Sequence, residues 1–153
     1  MRVVLDTNIL ARATPGSGGP ARELFRRCSR PPHAIVLSSE LLSELSRVLR
    51  YERLRRIHGL TDDEIDEHVS DVRDASVLVL PVDSQSENIV PGDPDDNSVI
   101  ATAIVGQAEI LCTRDRHFQH PDVQAYCAER GIRVMSDIEL IELLREADAE
   151  DPE

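Results

Sequence analysis

Four acidic residues occupy positions that local structure alone does not explain: Asp6, Glu44, Asp96 and Asp115. Asp6 ends the apolar run Val3-Val4-Leu5, which reads as a buried strand. A carboxylate there costs several kcal/mol unless it is paired, hydrogen-bonded or bound to a cation. Asp115 repeats the arrangement, just past the apolar stretch Ile110-Leu111-Cys112-Thr113. In open parallel sheets the ligand crevice lies outside the carboxyl ends of the strands, where both acids would sit. Two carboxylates about 4 Å apart repel by roughly 4 kcal/mol at an effective dielectric of 20, so four converging acids need a counterion. Oxygen ligands without histidine or thiolate point to Mg²⁺ or Mn²⁺. Such an ion lowers the pKa of bound water and neutralises phosphodiester oxygens, which is the chemistry of a nuclease or phosphatase.

Several elements must position these acids. The first strand spans Val3 to Leu5, and the Gly- and Pro-rich stretch 13–20 is a loop that either covers a site or merely connects. A helix from Ala21 to about Ser29 leads to a strand over Ala34 to Leu37, and Ser38 and Ser39 suit the cap of a helix from Glu40 to about Tyr51. Leu41, Leu42, Leu45, Val48 and Leu49 form its apolar stripe. At about 100° per residue, Glu44 lies roughly 100° from the stripe's centre and Glu40 roughly 140°. Glu44 therefore borders the core, whereas Glu40 faces water and suits the helix dipole. Arg47, Arg50, Arg53, Arg55 and Arg56 follow as a basic run, either a solvated face or one that contacts phosphate.

Thr61 to Glu64 is a capping box opening a helix to about Ala75, and Val77 to Leu80 make a third strand. After a polar connection from Asp83 to Val90, Asp93 and Pro94 fit the N-cap and first position of a helix to Val105, ended by Gly106. Within it Asp96 shares a face with Val99, Ile100 and Ala103 and points inward. Asp95 aligns with Ser98 and Thr102 as a supporting or surface acid. A helix from Pro121 to Arg130, a strand from Arg133 to Met135 and a final helix from a capping box at Ser136 to about Ala147 complete the chain. Asp137 is explained as a capping acid. The alternation predicts an α/β fold, a sandwich with a mostly parallel sheet.

With 153 residues and 41% hydrophobic content, the chain reads as one domain over 1–148, followed by a frayed acidic tail at 149–153. It has neither a membrane-spanning run nor a signal-peptide pattern, which predicts a cytoplasmic protein. Cys28, Cys112 and Cys127 lack a C-x-x-C pair and read as core thiols. The net charge of −12 argues against a simple electrostatic nucleic-acid binder, yet residues 1–59 carry +6 and residues 60–153 carry −18.

The strand ending in Asp6-Thr7-Asn8, the helix with Leu41-Leu42-Ser43-Glu44-Leu45, the segment Asp93-Pro94-Asp95-Asp96-Asn97 and Thr113-Arg114-Asp115 together resemble a PIN domain. The match spans nearly the whole chain and is nearest to the VapC-like toxins of toxin-antitoxin systems. The resemblance implies a three-layer α/β/α sandwich of about five strands and metal-dependent endoribonuclease activity. It also implies frequent homodimerisation and inhibition by a cognate antitoxin. Asp6, Glu44, Asp96 and Asp115 would surround the metal, supported by Thr7, Asn8, Asp95 and Thr113. Arg12, Arg47, Arg50 or Arg114 would receive the backbone of a single-stranded RNA. Where family members often carry an acid two residues after the fourth motif, this chain has His117.

Rival readings fit less well. A haloacid-dehalogenase-type phosphatase wants a second aspartate where Asn8 stands, and a phospho-receiver domain wants a lysine, which the chain lacks. His117-x-x-His120 has no third ligand nearby and reads as ordinary loop histidines. The alternative from another class is a catalytically weak PIN module that acts by binding RNA or protein.

Overall fold

The computed structural model describes residues 1–80 and 94–150, with side chains in the second part described from residue 98. The expected connection Asp83 to Val90 and the Asp93 cap lie outside the described residues, as do the side chains of Asp95 and Asp96.

Five short strands form one parallel sheet: β1 (Arg2–Leu5), β2 (Ala34–Ser38), β3 (Ser76–Val79), β4 (Ile110–Cys112) and β5 (Arg133–Met135), in the spatial order β3-β2-β1-β4-β5. Val3, Val4 and Leu5 of β1 and all of β4 are buried, as expected for central strands covered on both faces. The order reverses between β1 and β4, and this switch point leaves a crevice at their carboxyl ends. Register pairs Leu5 with Cys112, so Asp6 and Thr113 emerge side by side.

Helices α1 (Thr7–Leu10), α2 (Pro20–Cys28), α3 (Ser39–Leu49), α4 (Glu52–His58), α5 (Asp62–Asp74), α6 (Pro94–Val105), α7 (Pro121–Glu129) and α8 (Asp137–Glu150) complete an α/β/α sandwich. Leu41, Leu42, Leu45 and Leu49 are the buried stripe of α3, while Val48 is only half buried. The Thr61 and Glu64 capping box of α5 is made in both directions. α2 packs on α8, α3 on α5, and α6 across β2, β1 and β4. The three cysteines are buried and free, and among the described residues no helix is long and apolar enough to cross a membrane.

The structure adds elements that the sequence pattern leaves open. The residues directly after Asp6 form α1, and the basic run after Tyr51 is itself the helix α4, closed by Gly59 in the left-handed region at φ 66°. A 3₁₀ turn over Arg116–Gln119 precedes α7. The last helix reaches Glu150, so the first part of the expected frayed tail is helical. Gly106 follows α6 as expected, but Gln107 adopts the left-handed conformation there, at φ 54°. Gly106 serves closeness instead: a Cβ on it would stand 2.1 Å from Val36 Cγ1.

Candidate functional site

Asp6 is both the last link of β1 and the first of α1. Its amide still donates to the Cys112 carbonyl at 2.9 Å, after which extended backbone at φ −64°, ψ 159° places its side chain as the N-cap of α1. Oδ1 accepts from the Thr7 amide at 2.7 Å and from the Thr7 hydroxyl at 3.4 Å. Oδ2 accepts from the Thr113 hydroxyl at 2.7 Å and from Asn8 Nδ2 at 3.4 Å. The carboxyl is only 4% exposed. Burial raises its pKa above the ordinary value; the Thr113 and Thr7 hydrogen bonds oppose that rise, and the neighbouring charge of Asp115 adds to it. The buried His68 ring, whose pKa burial lowers, sits with Nε2 3.2 Å from the Leu10 carbonyl at the end of α1.

The turn after β4 is tied to the same group. The Asp115 amide donates to Thr113 Oγ1 at 3.1 Å, the Arg114 amide donates to Asn8 Oδ1 at 3.2 Å, and Asn8 Nδ2 donates to Thr113 Oγ1 at 3.3 Å. Asp115 caps the 3₁₀ turn by accepting from the His117 amide at 3.0 Å, and the His117 ring lies 3.5 Å from the same oxygen. His120 is used locally, its Nδ1 accepting from the Asp122 amide to cap α7.

Glu44 is half buried on α3, in a depression of about 380 Å³ that it shares with Glu40, Arg47 and Ser98. The Ser98 hydroxyl donates to Glu40 at 2.7 Å, joining the start of α6 to the start of α3. Glu40 is thus exposed, as its angle implies, yet engaged. Asp95 and Asp96 belong to the first turn of α6. The structure therefore brings together Asp6, Thr7, Asn8, Thr113 and Asp115, and sets Glu44 beside the helix that carries Asp95 and Asp96. Among the described residues, no three acids, histidines or cysteines form a group that could hold a metal ion.

The donor chemistry of the described part nevertheless fits a hard divalent cation. Asp6 and Asp115 offer carboxylate oxygens, with the His117 ring 3.5 Å from one of those of Asp115, and the repulsion that Asp115 exerts on Asp6 is what a cation would relieve.

The arginines divide. Arg50 is engaged by Asp66 at 2.7 Å, by Asp62 at 3.5 Å and by Ser46. Arg47 borders the depression beside Glu44, while Arg12 and Arg114 line a separate cavity together with Arg53. Asp137 stands in the first turn of α8, where the helix dipole favours an acid, but the reciprocal capping bonds are those of Ser136 and Glu139. It is also 1% exposed and lies 3.6 Å from Arg114, which the capping reading does not anticipate. Its signal was its place directly after β5, since β1, β4 and β5 all end near an aspartate.

A family model described as PIN domain matches residues 2–117. No curated protein sequence matches the chain. Among solved structures, a crystal structure of VapBC2 from Rickettsia felis bound to a DNA fragment from their promoter is similar with a TM-score of 0.57 at 14% identity. That alignment covers 89% of this chain and 98% of the other.

Proposed function

The chain belongs to the PIN-domain family, and from that premise we propose that it is a divalent-metal-dependent endoribonuclease, the toxin component of a toxin-antitoxin system. One observation carries the reading. Asp6 and Asp115, each just past the end of a central strand, are fastened to one another through the Thr113 hydroxyl at the switch point of the sheet. Burying a carboxylate beside a second one is unfavourable, and a cation makes it useful.

Asp6, Glu44, Asp96 and Asp115 are the proposed ligands of Mg²⁺ or Mn²⁺, with Asp95 supporting them. When bound, that ion supplies an activated water and neutralises charge on the scissile phosphate. The chain's own residues do the positioning. Thr7 and Thr113 fix the Asp6 carboxylate by donating to its two oxygens, and Asn8 spans from Asp6 and Thr113 to the Arg114 amide. The turn from β4 is thereby held in register with α1. Arg47 and Arg114 stand near enough to these acids in the chain to receive RNA phosphates. The VapBC2 likeness supports a cognate antitoxin as partner, and pairing with a second copy of the chain is part of the same proposal.

The test is cleavage of a mixed RNA pool with and without EDTA, using wild type and Asp6→Asn. Cleavage is expected only for the wild type with metal. Undiminished cleavage by Asp6→Asn would sink the mechanism, and metal-dependent stabilisation without any cleavage would favour a binding module.

A further inference from the structure

A cavity of about 810 Å³ opens beside the site, walled by Arg12, Arg53, Leu54, Ile57, Arg114 and Asp137 along with the loop before α2. Its size lies within the roughly 300–1,000 Å³ typical of small-ligand sites. The cavity adjoins the paired acids along the chain in two ways. Arg114 stands between Thr113 and Asp115 in the chain, and Arg12 lies just past α1, whose four residues rise only about 6 Å from the Asp6 cap.

The charges of this wall are unbalanced. Some arginines elsewhere meet acids, as in Arg27 with Asp148, Arg55 with Asp62, Arg56 with Glu52 and Arg145 with Glu23, although the exposed Arg26 and Arg30 at the end of α2 form no ion pair among the described residues. Arg12 and Arg53 are exposed and, among the described residues, neither forms an ion pair. The one acid on the wall, Asp137, is buried and already faces Arg114. The cavity therefore presents guanidinium groups from the end of α1, from α4 and from the turn after β4, on a chain whose net charge is −12. Between them lies apolar surface, with Ile57 77% exposed and Leu54 half buried.

We propose that this cavity is the subsite for the RNA segment next to the scissile phosphate. The guanidinium forks of Arg12 and Arg53 receive backbone phosphates, and the nucleoside portion rests on Leu54 and Ile57. Asp137 is a positioning residue that holds Arg114 at the boundary between the cavity and the acids. The proposal rests on the RNA-cleavage reading above. A polynucleotide suits the wall better than an acidic peptide, because one strand carries regularly repeated anions and would run on from the cavity to the reacting phosphate beside Asp6 and Asp115. On a chain of net charge −12, the wall is a basic area that a polyanion can approach, and it is the one that adjoins the paired acids.

The test is fluorescence anisotropy with a short labelled single-stranded RNA of mixed sequence, in EDTA so that nothing is cleaved, across a salt series. Arg12→Ala with Arg53→Ala should weaken binding by about tenfold or more and lower the slope of log K against log salt by roughly 1.4, two phosphate contacts at about 0.7 each. Arg56→Ala, outside the cavity, should bind as wild type. Replacing both arginines by lysine should restore the slope, which a folding defect would not permit. Unchanged binding in the double alanine variant overturns the proposal. So does unchanged RNA binding accompanied by lost affinity for a glutamate-rich amphipathic peptide, which would make the cavity a protein site. Cleavage scored in parallel with Mg²⁺ separates the two claims. If the double variant loses RNA binding and even the wild type cleaves nothing, the subsite stands and the nuclease reading falls. If the double variant binds and cleaves like wild type, the reverse holds.

Discussion

The Thr113 hydroxyl donates to Asp6 Oδ2 at 2.7 Å while accepting from the Asp115 amide at 3.1 Å, so one side chain fastens the two strand-end acids together. Of the hydrogen bonds to Asp6, it does most to hold the carboxyl pKa down against burial. Thr113→Val keeps the shape and removes both bonds inside a site that is 1% exposed at this residue. The expected cost is about 1–3 kcal/mol of stability, for a buried carboxylate and an amide left short of a partner. Metal affinity or cleavage should fall by about 10–100-fold, the usual effect of losing a group that orients a ligand. Thr113→Ser should recover most of both. Equal cleavage by Thr113→Val and wild type in an RNA assay would show that this hydroxyl does not position Asp6.

Asp6 carries a stability penalty that depends on pH. Its folded pKa is raised above 3.8, chiefly by burial, so the native state holds a proton over a window in which the unfolded chain has already lost it. Native stability therefore falls as pH rises through that window, and the whole penalty is present above the folded value. Asparagine cannot ionise, and its Oδ1 can go on accepting from the Thr7 amide. In EDTA, Asp6→Asn should have a higher melting midpoint than wild type near neutral pH. The gain should shrink as pH falls towards 4. Mg²⁺ or Mn²⁺ should raise the melting midpoint of the wild type and not that of the variant. A variant that is less stable at every pH would mean that the Asp6 carboxylate serves the fold rather than a ligand.

Gly106 offers a test of packing away from the site. A Cβ there would meet Val36 Cγ1 at 2.1 Å and the Thr102 carbonyl at 3.0 Å, and Val36 is fully buried in β2. Gly106→Ala should cost about 1–3 kcal/mol by forcing α6 away from the sheet. Combined with Val36→Ala, which vacates the contact, the loss should be less than the sum of the two single losses, as expected for residues sharing one space. Strict additivity in urea unfolding would contradict the close approach.

What the sequence made legible follows from where each signal resides. Asp6 and Asp115 could be read because apolar strands ending in a carboxylate are a local pattern, and Glu44 because a helical stripe fixes an angle. α1 escaped because four residues are too few to show a period, and α4 because it has no buried residue and hence no stripe. Its signals were its ends, Tyr51 and Gly59, and the Arg56 to Glu52 pair one turn apart. The interior place of Asp137 is set by Arg114, which is distant in sequence and arrives only when β4 and β5 pair. Likewise, no local pattern distinguishes a glycine that closes a helix from one that makes room for Val36.

The Arg114 to Asp137 pair yields the last prediction. Asp137 is nearly fully buried, its Oδ1 has no hydrogen-bond partner among the described residues, and the Arg114 guanidinium lies 3.6 Å from its other oxygen. Removing Arg114 leaves that carboxylate without its cation, whereas removing the charge of Asp137 leaves a guanidinium that is 41% exposed and can be hydrated. The two halves of the pair are therefore unequal. Arg114→Ala should destabilise by about 1–3 kcal/mol, below the 3–5 kcal/mol of a fully buried pair because solvent screens the exposed partner. Asp137→Asn should cost less, and adding it to Arg114→Ala should recover part of the loss, giving a coupling on the order of 0.5–3 kcal/mol. The measurement is a double-mutant cycle by urea unfolding at neutral pH. If Arg114→Ala is neutral, the carboxylate has found solvent or another donor, and Arg114 is free to move towards a ligand without leaving a buried charge behind.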